Sequence, residues 1–249
     1  SRGLGDVYKR QLEMSANPQQ DGITERAAIL LQERKDSIYR DTSRLFAYLM
    51  LSQWIAGITA AVLVAPHTWA GVEQKVHLHV WAAIFLGAAI ASLPVVLAFT
   101  RPTATSTRHV IAGAQMFWSA LLIHLTGGRI ETHFHVFGSL AFLAFFRDWR
   151  VFITATIVVG LDHLIRGVFY PQSVYGVLTA SPWRSVEHAA WVLFENLFLV
   201  HSCKKASAEM RDIAQNRARL EATNRIIELE VQERTKQVLQ LQEALQVAE

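Results

Sequence analysis

Apolar and polar positions divide the chain into three regimes. Between residues 45 and 202, long apolar runs alternate with short polar segments. Six of these runs approach the ~20 residues that a helix needs to cross a bilayer, at about 45–65, 77–99, 108–125, 130–146, 150–170 and 185–202. Ahead of them, Ile23 to Arg44 sets Ala27, Leu30, Leu31 and Ile38 against Arg26, Arg34, Lys35, Arg40 and Arg44 at helical spacing. This predicts an amphipathic helix, with Thr24 placed to cap it. Beyond Cys203 the pattern changes again. Met210, Ile213, Arg217, Leu220, Asn224, Ile227, Val231, Arg234, Val238, Leu241, Leu245 and Ala248 recur at alternating three- and four-residue steps, the period of a coiled-coil seam. Asn224 on that seam fixes register and favours two strands, at some cost in stability.

The expected architecture is all-α: a six-transmembrane-helix bundle that continues into a cytoplasmic parallel coiled-coil helix. Its parts are an amphipathic helix at 14–44, a membrane domain at 45–202 and a coiled-coil linker at 203–249 that forms a homodimer through 206–249. No Pro or Gly separates the last apolar run from the seam, so one helix is expected to join them. The seam reaches Glu249, so the chain is expected to stop short of an output domain. Residues 1–13 show no apolar period, precede Met14 and resemble a translated library linker. They are read as a non-native leader and set aside.

Composition agrees with the lipid bilayer as partner. Charged residues are 18% of the 249, against the roughly 25% usual for soluble domains. Lysines and arginines flank the apolar runs: Arg26 to Arg44 before the first, Arg101 and Arg108 between the second and third, Arg147 and Arg150 between the fourth and fifth, and Lys204 and Lys205 after the sixth. The opposite loops hold only Lys75, Arg129 and Arg184. By the positive-inside rule both termini are cytoplasmic, in a multi-pass membrane protein. Trp69, Trp81, Trp149, Tyr170 and Trp183 sit near run ends, as an interfacial aromatic belt does. The net charge of +3 comes without the basic-aromatic groove of a nucleic-acid binder, so no nucleic acid is expected. The lone Cys203 excludes an intrachain disulfide and a cysteine-only metal site.

That topology gives the histidines meaning. His67, His77, His79, His124, His133, His135, His163 and His188 all fall in the extracytoplasmic half, leaving only His109 and His201 near the cytoplasm. Ionisable groups inside a membrane are costly and mark functional sites. Glu131 and His135 lie four apart on one helical face, whereas His133 points elsewhere. Asp162 and Arg166 are spaced to pair with each other, and His188 and Glu195, seven apart, share a face. Imidazoles with nearby carboxylates suit iron, copper or zinc. The metal candidates are Glu131, His133, His135, Asp162, His163, Glu187, His188 and Glu195, with the carboxylates as ligands or as groups that orient the imidazoles. Haem instead needs one or two of His124, His135, His163 and His188 facing each other across the bundle. Hydrogen-bonded, unliganded histidines are the alternative to both.

Gly128-Arg129-Ile130-Glu131-Thr132-His133-Phe134-His135-Val136-Phe137, then Leu140-Ala141-Phe142-Leu143 and Arg147-Asp148-Trp149-Arg150, resembles an N-terminal membrane sensor module of bacterial methyl-accepting chemotaxis proteins and sensor histidine kinases. Asp162-His163 and the stretch from Glu187 to Glu195 resemble later helices of that module. Leu229-Glu230-Val231-Gln232-Glu233-Arg234-Thr235 is similar to the coiled linker that enters PAS or kinase domains. The resemblance implies a two-component or chemotaxis sensor that feeds a downstream kinase, PAS or chemotaxis output domain. This chain carries no phosphoacceptor box, nucleotide-binding motif or chemoreceptor tip, so no catalytic activity is assigned to it. The expected function is a sensory input module that detects a ligand or redox state at an outer-leaflet metal or haem site. The alternative, a membrane metal-dependent oxidoreductase, has no use for a long helical tail. A transporter is expected to show internal repeats, and none is evident.

Overall fold

The computed structural model describes residues 18–70 and 73–248; the expected leader lies outside them. The described chain is almost entirely helical. Helix α1 (Pro18–Val64) leads to strands β1 (His67–Ala70) and β2 (Glu73–Val76). Then come α2 (Leu78–Thr100), α3 (Thr105–Leu125) and α4 (Ile130–Leu143), the last closed by a 3-10 turn at Ala144–Phe146. Helix α5 (Arg150–Phe169), the short α6 (Gln172–Tyr175) and α7 (Trp183–Ala248) complete the chain.

Three local expectations change. The amphipathic helix and the first apolar run are one unbroken helix of 47 residues. Thr24 does not cap it, because its hydroxyl donates back to the Gln20 carbonyl at 2.9 Å, one turn earlier. The all-α expectation missed an antiparallel hairpin, in which His67 faces Val76 and Ala70 faces Glu73. β2 is exposed throughout, so no inside-outside alternation marks it in the sequence.

Two compact units emerge, one of residues 35–207 and one that combines the residues up to Arg34 with those from Ala208. In the larger unit α3 is the most enclosed helix and packs against α2, α4 and α5. Its Gln115 and Ser119 are fully buried beside apolar Ile111, Met116 and Ile123. The outward surfaces are apolar instead: Ile55 on α1, Phe85, Leu93 and Val96 on α2, Ile157 and Leu161 on α5, and Leu197 and Phe198 on α7 are all exposed. Apolar surface on that scale needs a cover. By length and composition, three described helices can cross a membrane: Gln20–Val64, Leu78–Thr100 and Arg150–Phe169. The runs at 108–125, 130–146 and 185–202 are helical as expected but do not meet that measure, so the count of six is not supported. Ile130–Phe146 is apolar but short. Arg108, Gln115 and Ser119 in α3, and Glu187, Glu195 and Asn196 in α7, dilute the other two runs.

Two turns fix the ends of α4. Before it, Gly127 and Gly128 take φ of 72° and 74°, a region costly for residues with a Cβ. Gly128 lies against the Tyr175–Gly176 backbone, where a Cβ would collide with Gly176 N. After it, Asp148 accepts from the Arg150 amide at 3.2 Å and pairs with buried Arg108, also at 3.2 Å. The Arg108 guanidinium lies 3.8 Å from the centre of the Tyr39 ring.

In the smaller unit, Ala27 and Leu30 of α1 pack against Ala214 and Ala218 of α7. Arg26 Nε bonds Glu221 Oε2 at 2.7 Å, and Arg217 Nε bonds the other oxygen at 3.1 Å. The seam residues Ile213, Leu220, Ile227, Val231, Leu241 and Leu245 stay exposed on another face of α7.

Candidate functional site: a histidine cluster shared by three helices

His133 on α4, His163 on α5 and His188 on α7 form a triangle. Their ring centroids are 5.5 Å (133–163), 5.2 Å (133–188) and 5.7 Å (163–188) apart. Each ring is oriented in the same way, by the carbonyl one helical turn before it. His133 Nδ1 meets Arg129 O at 2.9 Å, His163 Nδ1 meets Val159 O at 3.1 Å, and His188 Nδ1 meets Arg184 O at 2.8 Å. A carbonyl oxygen only accepts, so each Nδ1 carries a proton. In the neutral imidazole that leaves the Nε2 lone pair free. The Nε2 of His133 is buried with no hydrogen-bond partner.

Polar neighbours hold the triangle in place. Asp162 Oδ2 lies 3.4 Å from His163 Nδ1 and is itself gripped by Arg166, whose Nη2 and Nε reach the two carboxylate oxygens at 2.6 and 2.7 Å. Asp162 therefore faces an imidazole N–H and a guanidinium. Ser185 Oγ donates to the His163 carbonyl at 3.0 Å, and the Tyr175 hydroxyl meets Ser185 Oγ at 2.9 Å. All three histidines line one cavity of about 40 Å³, whose other walls include Val136, Val159, Gly160 and Val192.

The remaining candidates lie elsewhere. His135 was expected to join His163 and His188, but it faces α1 and α3. Its Nε2 meets Gln53 Nε2 at 3.0 Å, and its Nδ1 meets Ser119 Oγ at 2.8 Å. Two residues along a helix is a rotation of about 200°, so only one of His133 and His135 can face α5 and α7. His124 belongs to a second group, with His79 at 4.8 Å between ring centroids and His77 a further 4.3 Å beyond, and its Nδ1 meets Ser173 Oγ at 2.8 Å. Glu131 and Glu187 are exposed. Glu195 Oε2 is buried without a partner, but this residue does not line the cavity. Among the described residues no group of three or more His, Cys, Asp or Glu meets the spacing of a formed metal site. The carbonyls that orient the rings, and the supports Gln53, Ser119, Tyr175 and Ser185, carried no sequence signal; an unmarked Ser or Gln in an apolar run has too many uses.

The chain is similar to the transducer protein Htr8 of Halobacterium salinarum, with 30% identity over 138 residues. The match covers 52% of this chain and 20% of that protein, so it spans about a fifth of the relative's length. No family model matches the chain, and no solved structure matches it.

Proposed function

We propose that this chain is the sensory input module of a membrane signal-transduction protein. In this reading six helices lie in the membrane. α3 tolerates Arg108, Gln115 and Ser119 because its neighbours, not lipid, surround it. Both termini are cytoplasmic, the exposed seam of α7 pairs with a second copy of the chain, and an output domain follows. The input is a ligand or redox change, felt by the histidine triangle and its metal or haem. The similarity to a transducer supports the signalling role.

One observation carries the reading. His188 stands in the second turn of α7, and the seam that begins at Met210 lies on the same unbroken helix, Trp183–Ala248. Anything that shifts His188 against His133 and His163 acts on the helix that bears the seam. A ligand does this by binding one arrangement of the helices more tightly than another.

The test is disulfide crosslinking in membranes, with Cys203 replaced by Ser. Leu220→Cys on the seam is expected to crosslink between protomers at least ten times faster than Arg225→Cys off it, and His188→Ala is expected to change the seam rate. Equal rates at both positions, or a seam rate indifferent to His188→Ala, would overturn the proposal.

A further inference from the structure

The geometry points to a mononuclear metal site built by His133, His163 and His188 through their Nε2 atoms, with an open fourth position facing the cavity. It rests on the proposed function only in supplying the input centre. The ion is a borderline divalent cation of the zinc or cobalt class, for which neutral imidazole is a preferred ligand.

Four features converge. First, the rings stand close to the spacing of a site, though not yet at that of a formed one. An ion ~2.1 Å from each Nε2, bound tetrahedrally, sets ring centroids about 5.2 Å apart, and those observed are 5.2, 5.5 and 5.7 Å apart. The two longer edges both end on His163 and exceed that value by 0.3 and 0.5 Å, so binding draws α5 towards α4 and α7 while each Nδ1 keeps its carbonyl. Second, all three Nδ1 atoms are committed to backbone carbonyls. That is the outer hydrogen bond that fixes tautomer and orientation in metal-binding histidines. Asp162 gives His163 a second acceptor. Third, His133 is 5% exposed and its Nε2 is unpaired, which costs stability unless something occupies it. Fourth, the cavity is small. About 40 Å³ admits an ion with one or two small ligands, whereas cofactor pockets run to roughly 300–1,000 Å³. Between these three helices, that favours a bare ion over haem.

The ligand set is thereby narrowed. Glu131 and Glu187 are exposed, and His135 is held by Gln53 and Ser119, so none of them belongs to it. No carboxylate lines the cavity, so the site is an all-imidazole one whose net charge is that of the ion.

The full chain, purified in detergent and stripped with chelator, is loaded with Zn²⁺ or Co²⁺ and passed through a desalting column. Elemental analysis is expected to find one ion per chain, and cobalt to give the visible bands of a low-coordinate nitrogen site. His133→Ala, His163→Ala and His188→Ala are each expected to weaken binding more than tenfold, while His135→Ala and His124→Ala bind as the parent does. Because an alanine variant can misfold, His188→Gln with unchanged circular dichroism is measured alongside and is expected to lose the ion too. Retention of no ion by the folded parent, or retention of one by the His133→Ala and His188→Gln variants, would overturn the site. Failure here leaves seam crosslinking free to support the sensory role, and failure of the crosslinking leaves metal loading free to support the site.

Discussion

Asp148→Asn isolates the charge of a buried ion pair without removing a hydrogen-bonding side chain. The Arg108 and Asp148 side chains are 6% and 9% exposed, and Asp148 Oδ2 lies 3.2 Å from both Nη2 and Nε of the guanidinium. Asparagine keeps an oxygen for the Arg150 amide, which now bonds Asp148 Oδ1 at 3.2 Å, so the start of α5 retains its support. What is lost is the carboxylate paired with Arg108. Breaking a buried pair from one side costs about 3–5 kcal/mol because the other charge is stranded. Arg108 keeps the Thr103 carbonyl at 3.0 Å, the Thr105 hydroxyl at 3.3 Å and the Tyr39 ring at 3.8 Å, which places the loss at the low end, about 3 kcal/mol. For a chain of this size that is a fall of roughly 6–12 °C in Tm. Thermal unfolding in detergent, followed by circular dichroism, measures it. The companion variant is Arg108→Met with Asp148→Leu, expected to lose only the Arg150 amide contact, about 1 kcal/mol, because apolar side chains of similar volume replace a buried pair at little cost. An unchanged Tm for Asp148→Asn, or a double variant as unstable as the single one, would refute the reasoning.

Two further outcomes are expected. Gly128→Ala should unfold at lower temperature than the parent, since a left-handed residue with a Cβ costs about 1–2 kcal/mol and the new atom meets the Tyr175–Gly176 backbone. Gly138→Ala, which meets nothing within 4 Å, should gain about 0.5–1 kcal/mol as an ordinary helix substitution; the same melts decide both. The third measurement is of pH. The hydrogen bond from Arg26, joined by Arg217, holds the Glu221 carboxyl below its ordinary 4.5. A depressed carboxyl contributes its full stabilisation above the unfolded value and loses it as pH falls through the lower folded value. Spin labels at Ile29→Cys and Ile213→Cys should therefore keep their separation from neutral pH down to about 4.5 and spread only below it; spreading already near neutrality would show that this pair does not join the helices.

The helices were legible because apolar runs and the heptad period depend on one chain's spacing alone. Every expected run is helical, and Cys203 to Ala248 continues α7 without a break. The site was legible only in part. Periodicity says which side chains share a face, but not which neighbour that face meets. Glu131 and His135 therefore looked like partners, while His133, two residues from His135, holds the position beside His163 and His188. Asp162 and Arg166 did pair as their four-residue spacing implied. The hairpin at 67–76 was invisible for a physical reason: strands of four residues, exposed where their burial is described, bury no face and so leave no alternation. Hydropathy likewise reads three helices clearly because each turns an apolar side outward, and reads α3 poorly because burial lets it carry Arg108, Gln115 and Ser119.

The treatment of buried polar groups separates structure from function in this bundle. Arg108 is buried and has a carboxylate, a carbonyl, a hydroxyl and an aromatic ring around it. His135 is half-buried and both its nitrogens are engaged. These groups are satisfied and need no ligand. Unpaired atoms occur elsewhere: Gln115 Oε1 and Asn196 Oδ1 each belong to a side chain that makes its other hydrogen bond, and His79 Nδ1 is buried without a partner beside His77 and His124. At the triangle the unpaired His133 Nε2 shares a cavity with two more imidazoles whose Nδ1 atoms are fixed in the same way. Three imidazoles from three separate helices, each with its Nδ1 held by a carbonyl around one small cavity, set the triangle apart, and on that arrangement the proposed metal site stands or falls.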